Sequence, residues 1–202
     1  MKRATSLGLM ILACASFLAL GIITASIGPA LANLAENTLS ELSVMGSVFT
    51  ALFLGSLAAQ GVMGLLLDRS GARKLLFVGL LVLGVGILGL TLAASLWVAL
   101  ACAIIAGLGH GVVDVASNVM ISDAFPQRRA AALNWLNMFY GIGAFVGPAI
   151  AGFALRLWDV ALPALWLGAG IELFLAPAFL VFVPSLPRSE ERRVGKECRS
   201  RW

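Results

Sequence analysis

Six long apolar runs leave this chain few ways to fold. They cover about residues 7–32, 44–67, 75–94, 96–121, 130–157 and 162–183. At about 1.5 Å per residue, a helix of about 20 residues crosses a hydrocarbon core of about 30 Å. No water is available there to pair with the backbone, so each run must satisfy its own N–H and C=O groups as a helix. A membrane β-barrel needs shorter segments that alternate apolar with polar residues, and these runs do not alternate. Composition agrees. Only 12% of residues are charged and 60% are hydrophobic, where a soluble domain carries about 25% charged residues. The expected class is an all-α membrane protein with six transmembrane helices.

The basic residues orient the spans. Lys2, Arg3, Arg69, Arg73, Lys74, Arg128 and Arg129 fall in one alternate set of connecting segments, and only Arg156 falls in the other. Lys and Arg accumulate on the cytoplasmic side. Both ends of residues 1–187 are therefore expected in the cytoplasm, with the chain in a plasma or inner membrane. Lys2 and Arg3 ahead of an apolar run also fit a signal peptide, with Ala30-Leu31-Ala32 as its cleavage site. The run is longer than a signal core, which favours a span.

Residues 188–202 read differently. Arg188-Ser-Glu-Glu-Arg-Arg-Val-Gly-Lys-Glu-Cys-Arg-Ser-Arg-Trp202 resembles the in-frame translation of a widely used sequencing adapter. Such a scar is set aside from fold reasoning. A true basic tail against anionic lipid is the alternative. The segment holds six of the 14 basic and three of the 10 acidic residues, which leaves eight and seven in residues 1–187. A near-neutral body gives no argument for a nucleic-acid partner. The expectation is a reading frame that continues past Pro187, with this chain a truncated reading of it. Cys14 and Cys102 lie inside spans and Cys198 in the tail, with no spacing for zinc or a disulfide framework.

Between the second and third runs lies Gly64-Leu-Leu-Leu-Asp68-Arg69-Ser-Gly71-Ala-Arg73-Lys74. Gly64 would allow close helix approach, and Gly71 suits a tight turn. Asp68 falls near the start of the next helix, where free N–H groups favour an anion. The stretch resembles the loop of pattern G-x-x-x-D-R-x-G-x-R-K in major facilitator superfamily transporters. The resemblance implies one six-helix half, the amino-terminal one, of that fold. It also implies a gating role for Gly64, Asp68, Arg69, Gly71, Arg73 and Lys74, with Asp68 and Arg69 locking the cytoplasmic face. A loop that only sets topology is the plainer reading.

The fourth run carries His110, Asp114, Ser117 and Asn118 at i, i+4, i+7 and i+8, on one helical face. A carboxylate at mid-span costs about 2.5–3.5 kcal/mol on insertion scales, so it is rarely turned to lipid. This face is expected to line a cavity. Asp114 would be the proton-coupling group, His110 its neighbour, and Ser117 and Asn118 solute contacts. A His–Asp pair satisfied inside the bundle is the alternative. An acid followed four positions later by Asn in span four resembles the fucose-permease-like branch of the superfamily. Sugar/proton symporters of that branch also carry an Asp in span one. Residues 24–29 here, Thr-Ala-Ser-Ile-Gly-Pro, have none.

The fifth run holds Asn134, Asn137 and Tyr140, then Gly143, Gly147, Pro148 and Gly152. From Gly143 it resembles the G-x-x-x-G-P-x-x-G-G motif of drug/proton antiporters, with Ala151 in place of one Gly. Small residues and a proline suit a packed hinge. Asn134, Asn137, Tyr140 and Gln60 of the second run are further candidate solute contacts. Glu172 is the one acid in the sixth run. Trp97, Trp158 and Trp166 lie near span ends, where interfacial anchoring is expected. Gly28-Pro29 echoes Gly147-Pro148, but spans one and five are not equivalent positions in an inverted repeat.

The reading is a secondary active transporter that moves a small polar, sugar-like solute by alternating access. Its partners would be that solute, protons, the bilayer and a missing carboxy-terminal half. No cofactor, metal or catalytic residue is expected, and the protein is not expected to be an enzyme. Little transport is expected from the chain alone unless it dimerises. A drug or metabolite efflux antiporter is one rival. A non-transporting structural or receptor protein is another.

Overall fold

A computed structural model describes the backbone of residues 3–182 and the side chains of residues 6–181. The adapter-like segment 188–202 lies outside the described residues. The elements are α1 (Arg3–Thr38), α2 (Leu42–Met45), α3 (Ser47–Ser70), α4 (Ala72–Thr91), α5 (Leu96–Ala124), α6 (Arg129–Trp158) and α7 (Pro163–Phe182). A turn of 3-10 helix, Pro126–Arg128, leads into α6. There is no strand among the described residues. Six helices, all but the short α2, are long and apolar enough to cross a membrane.

Helix ends follow local chemistry. Past the predicted end at residue 32, α1 continues to Thr38, whose hydroxyl bonds back to the Leu34 carbonyl. α3 stops at Gly71, which takes φ 76° and ψ 151°, a region essentially reserved for glycine. α4 ends at Thr91, short of the predicted residue 94, and Ser95 then caps α5 by accepting from the Val98 N–H.

α1 packs between α6 and α7, α5 packs between α3 and α4, and α4 packs on α7. Exchanging α1, α3 and α4 for α5, α6 and α7 leaves this pattern unchanged. The bundle is therefore two three-helix units of inverted direction. Gly28-Pro29 and Gly147-Pro148 sit on α1 and α6, which this exchange does not relate. α1 and α6 are packed neighbours instead.

Lipid gives apolar helices no hydrophobic reason to associate, so close backbone contact must hold them. One crossing is built twice. Where α1 meets α6, Gly143 faces the Leu18 carbonyl, Gly147 the Ile22 carbonyl, and Gly21 the Tyr140 carbonyl. Where α3 meets α5, Gly107 faces the Leu52 carbonyl, Gly111 the Ser56 carbonyl, and Gly55 the Ile104 carbonyl. A Cβ at any of these six positions would strike a neighbouring backbone.

Polar ties close both ends. At one end, Asn33 of α1 accepts from the Ala161 N–H at 2.8 Å and donates to the Asp159 carbonyl at 3.3 Å. Beside it, the Trp166 indole N–H donates to Thr91 Oγ1 at 3.1 Å. At the other end, the Arg73 guanidinium donates to the Leu180 carbonyl of α7.

Candidate functional site

His110 is the middle residue of α5, and Asp114 and Asn118 follow at one-turn intervals. Because Gly111 has no side chain, α5 lies directly on the Ser56 carbonyl of α3. That contact brings Ser56 Oγ to 3.2 Å from His110 Nδ1, where either can donate according to the ring tautomer. Gln60, one turn along α3, donates its amide to Ser56 Oγ at 3.1 Å. Asn118 donates from one amide nitrogen to both the Asp114 carbonyl and Asp114 Oδ1, each at 2.9 Å. The result is a polar strip across two helices at mid-span, Gln60–Ser56–His110 followed by Asp114–Asn118. His110, Asp114 and Asn118 are all half-buried. His110 Nε2 is itself buried and makes no hydrogen bond among the described residues.

The structure does not join Ser117 to this strip. Its hydroxyl is fully buried and unpaired. Tyr140 meets Thr24 of α1 instead, hydroxyl to hydroxyl at 3.0 Å. Thr24 also donates to its own Leu20 carbonyl at 2.7 Å. The α1–α6 glycine contacts place this pair, since Gly21 lies on the Tyr140 carbonyl itself. Asn134 and Asn137 are exposed, and Asn137 bonds only the Leu133 carbonyl of its own helix.

In the α3–α4 loop, Gly71 forms the turn, while Asp68, Arg69 and Lys74 are exposed. Arg73 turns inward to α7. Gly64 does not mediate close approach to another described helix, because a Cβ there would meet open space. Gly152 is open in the same way, whereas Gly143 and Gly147 lie hard against α1. Pro148 stands inside α6, whose helix continues past it to Trp158.

Two residues escaped the sequence reading. Ser56 lies one turn before Gln60, so their i, i+4 spacing was a usable signal. Thr24 left none, since its role depends on where α6 lies.

A groove of about 710 Å³ opens between the first halves of α1 and α6, lined by Leu7, Met10, Ile11, Cys14, Trp135 and Phe139 among others. The Trp135 and Phe139 ring centres are 6.3 Å apart. Its walls are almost wholly apolar, so a polar solute would gain little there.

The chain is 29% identical to human (Homo sapiens) sodium-dependent glucose transporter 1 over 70% of its own length and 27% of that protein. It is 27% identical to the mouse (Mus musculus) MFS-type transporter SLC18B1 over 97% of its own length and 44% of that protein. It is 30% identical to the vacuolar membrane amino acid uptake transporter fnx2 of Schizosaccharomyces pombe over 52% of its own length and 18% of that protein. The chain thus spans less than half the length of these curated relatives. The sequence profile of the Major Facilitator Superfamily matches residues 9–199. With six membrane-crossing helices in an inverted three-plus-three arrangement, the chain belongs to the Major Facilitator Superfamily.

Proposed function

We propose that the chain is part of a secondary active transporter that moves a small polar solute by alternating access. The observation that carries this reading is the mid-span strip of Gln60, Ser56, His110, Asp114 and Asn118. Polar groups at membrane depth are costly and are kept where they bind or conduct. This strip also offers both donors and acceptors, as a hydroxylated solute needs. Asp114 and His110 would carry the coupled proton, and Asn118 would orient the Asp114 carboxyl. Tyr140 and Thr24 would add a second pair of hydroxyls. Asn134, Asn137 and Ser117 have weaker support, since none joins a network between helices. The relatives named for glucose and amino acid transport favour a small polar solute, with a sugar first to be tried.

Alternating access needs an opposing wall, which would come from further chain. The α3–α4 loop, with Asp68 and Arg69, would then seal the cytoplasmic face against that wall. Its basic residues and those at Arg128 and Arg129 support a cytoplasmic location.

The test is uptake of labelled monosaccharides and amino acids into proteoliposomes holding the parent protein, measured across a pH series. Asp114→Asn is expected to abolish the pH dependence of uptake. Flux that varies with pH as in the wild type would sink the role given to Asp114.

The apolar α1–α6 groove favours a second reading, export of lipophilic compounds. Binding of lipophilic cations, competed away by bulky substitution at Ile11 and untouched by Asp114→Asn, would support it. Saturable uptake of a polar solute would overturn it.

A further inference from the structure

Glu172 is the one acid of α7, and none of its surface is exposed. Ser16 of α1 is equally buried, and its hydroxyl donates to Glu172 Oε2 at 2.9 Å. The other carboxyl oxygen, Oε1, is buried with no hydrogen-bond partner among the described residues. Tight packing seals the surroundings. Gly168, one turn before Glu172, lies against Ile23 of α1, and Gly84 of α4 lies against Leu173 of α7.

Among the described residues, no cation bonds to this carboxyl. Within its described helix beyond Arg3, α1 offers only Cys14 and Glu36 as titratable groups. α4 offers Arg73 and Lys74 in its first turn, and α6 offers Arg129, Tyr140 and Arg156. None of these bonds to Glu172. Cys14 lines the α1–α6 groove, and Arg73 is engaged with the Leu180 carbonyl two turns further along α7.

We propose that Glu172 and Ser16 form a second proton-binding site, apart from the α5 strip, in which the carboxyl holds its proton while α1 and α7 stay packed. A lone carboxylate in a fully buried seam has one neutral donor and, among the described residues, no cation bonded to it. A proton from water adds to Oε1 and gives the neutral acid. Ser16 keeps its own proton and donates it to Oε2. Release is the reverse, with the proton returning to water, and it requires water to reach Oε1. The present packing of α1 against α7 denies that access. Since α1 also carries Thr24, a movement of α1 that parts this seam would shift the Thr24–Tyr140 pair as well.

Infrared spectroscopy of the full chain in lipid tests this, because a protonated carboxyl has a C=O stretch that a carboxylate lacks. At neutral pH the wild type is expected to show the band and Glu172→Gln to lose it. Asp114→Asn should keep it, and Ser16→Ala should move it to higher frequency as Oε2 loses its hydrogen bond. A spectrum unchanged by Glu172→Gln overturns the proposal, as does a band lost in Asp114→Asn alone. Should Glu172→Gln fail to fold, judged by helix content, Ser16→Ala decides. A band that Ser16→Ala leaves in place overturns the proposal.

Discussion

Gly111 follows His110 directly, and its missing side chain sets the distance between that ring and Ser56. Gly111→Ala would drive a Cβ into the Ser56 carbonyl. Overpacking of this kind costs about 1–3 kcal/mol. The expected result is a lower thermal unfolding midpoint in detergent, with loss of the His110–Ser56 bond as read from the imidazole NMR signals. Gly152→Ala is the control, since open space surrounds it, and it should leave the midpoint in place. Gly71 is constrained by conformation rather than contact. Its φ of 76° with ψ of 151° strains any side chain, so Gly71→Ala should destabilise by about 1–3 kcal/mol, again measured by thermal unfolding.

Among the elements, α1 is tied to both α6 and α7. It carries one glycine crossing to α6, the Ser16 bond to α7, and the Asn33 clamp on the α6–α7 turn. Asn33 is more than a polar end to an apolar run, since it pairs both a backbone N–H and a backbone C=O of residues 159–161. Asn33→Ala would leave the buried Ala161 N–H unpaired, a loss of about 1–3 kcal/mol. Hydrogen exchange should then rise at Ala161 and in the first turn of α7. The Ala106 region of α5 should exchange as before, and faster exchange there would count against a local clamp. The i, i+4 face of α5 was legible because helical periodicity fixes which residues align. The partners of that face were not, since Ser56 and Thr24 acquire their roles only when a second helix is set at a given height.

At the scale of the whole molecule, the six crossings place the α3–α4 and α5–α6 connections at one end of the bundle and residues 92–95 and 159–162 at the other. Single cysteines at Ser70 and Arg128, in a background with the native cysteines replaced, should react with a membrane-impermeant thiol reagent from one side. Those at Ser95 and Asp159 should react from the opposite side. Labelling of Ser70→Cys and Ser95→Cys from the same side would refute the topology. The sequence by itself determined the helical class, the number of spans and the alignment of His110, Asp114 and Asn118. Those follow from chain length against bilayer thickness and from a fixed turn of 3.6 residues. The α3–α4 loop motif by itself also points to the superfamily. Only the tertiary structure decided which glycines carry close contacts, Gly111 and Gly147 but not Gly64 or Gly152. It alone paired His110 with Ser56 and Tyr140 with Thr24, and it sealed Glu172 against Ser16. Contact between helices depends on their rotation and relative height, and these are set by all six packing together rather than by any one span.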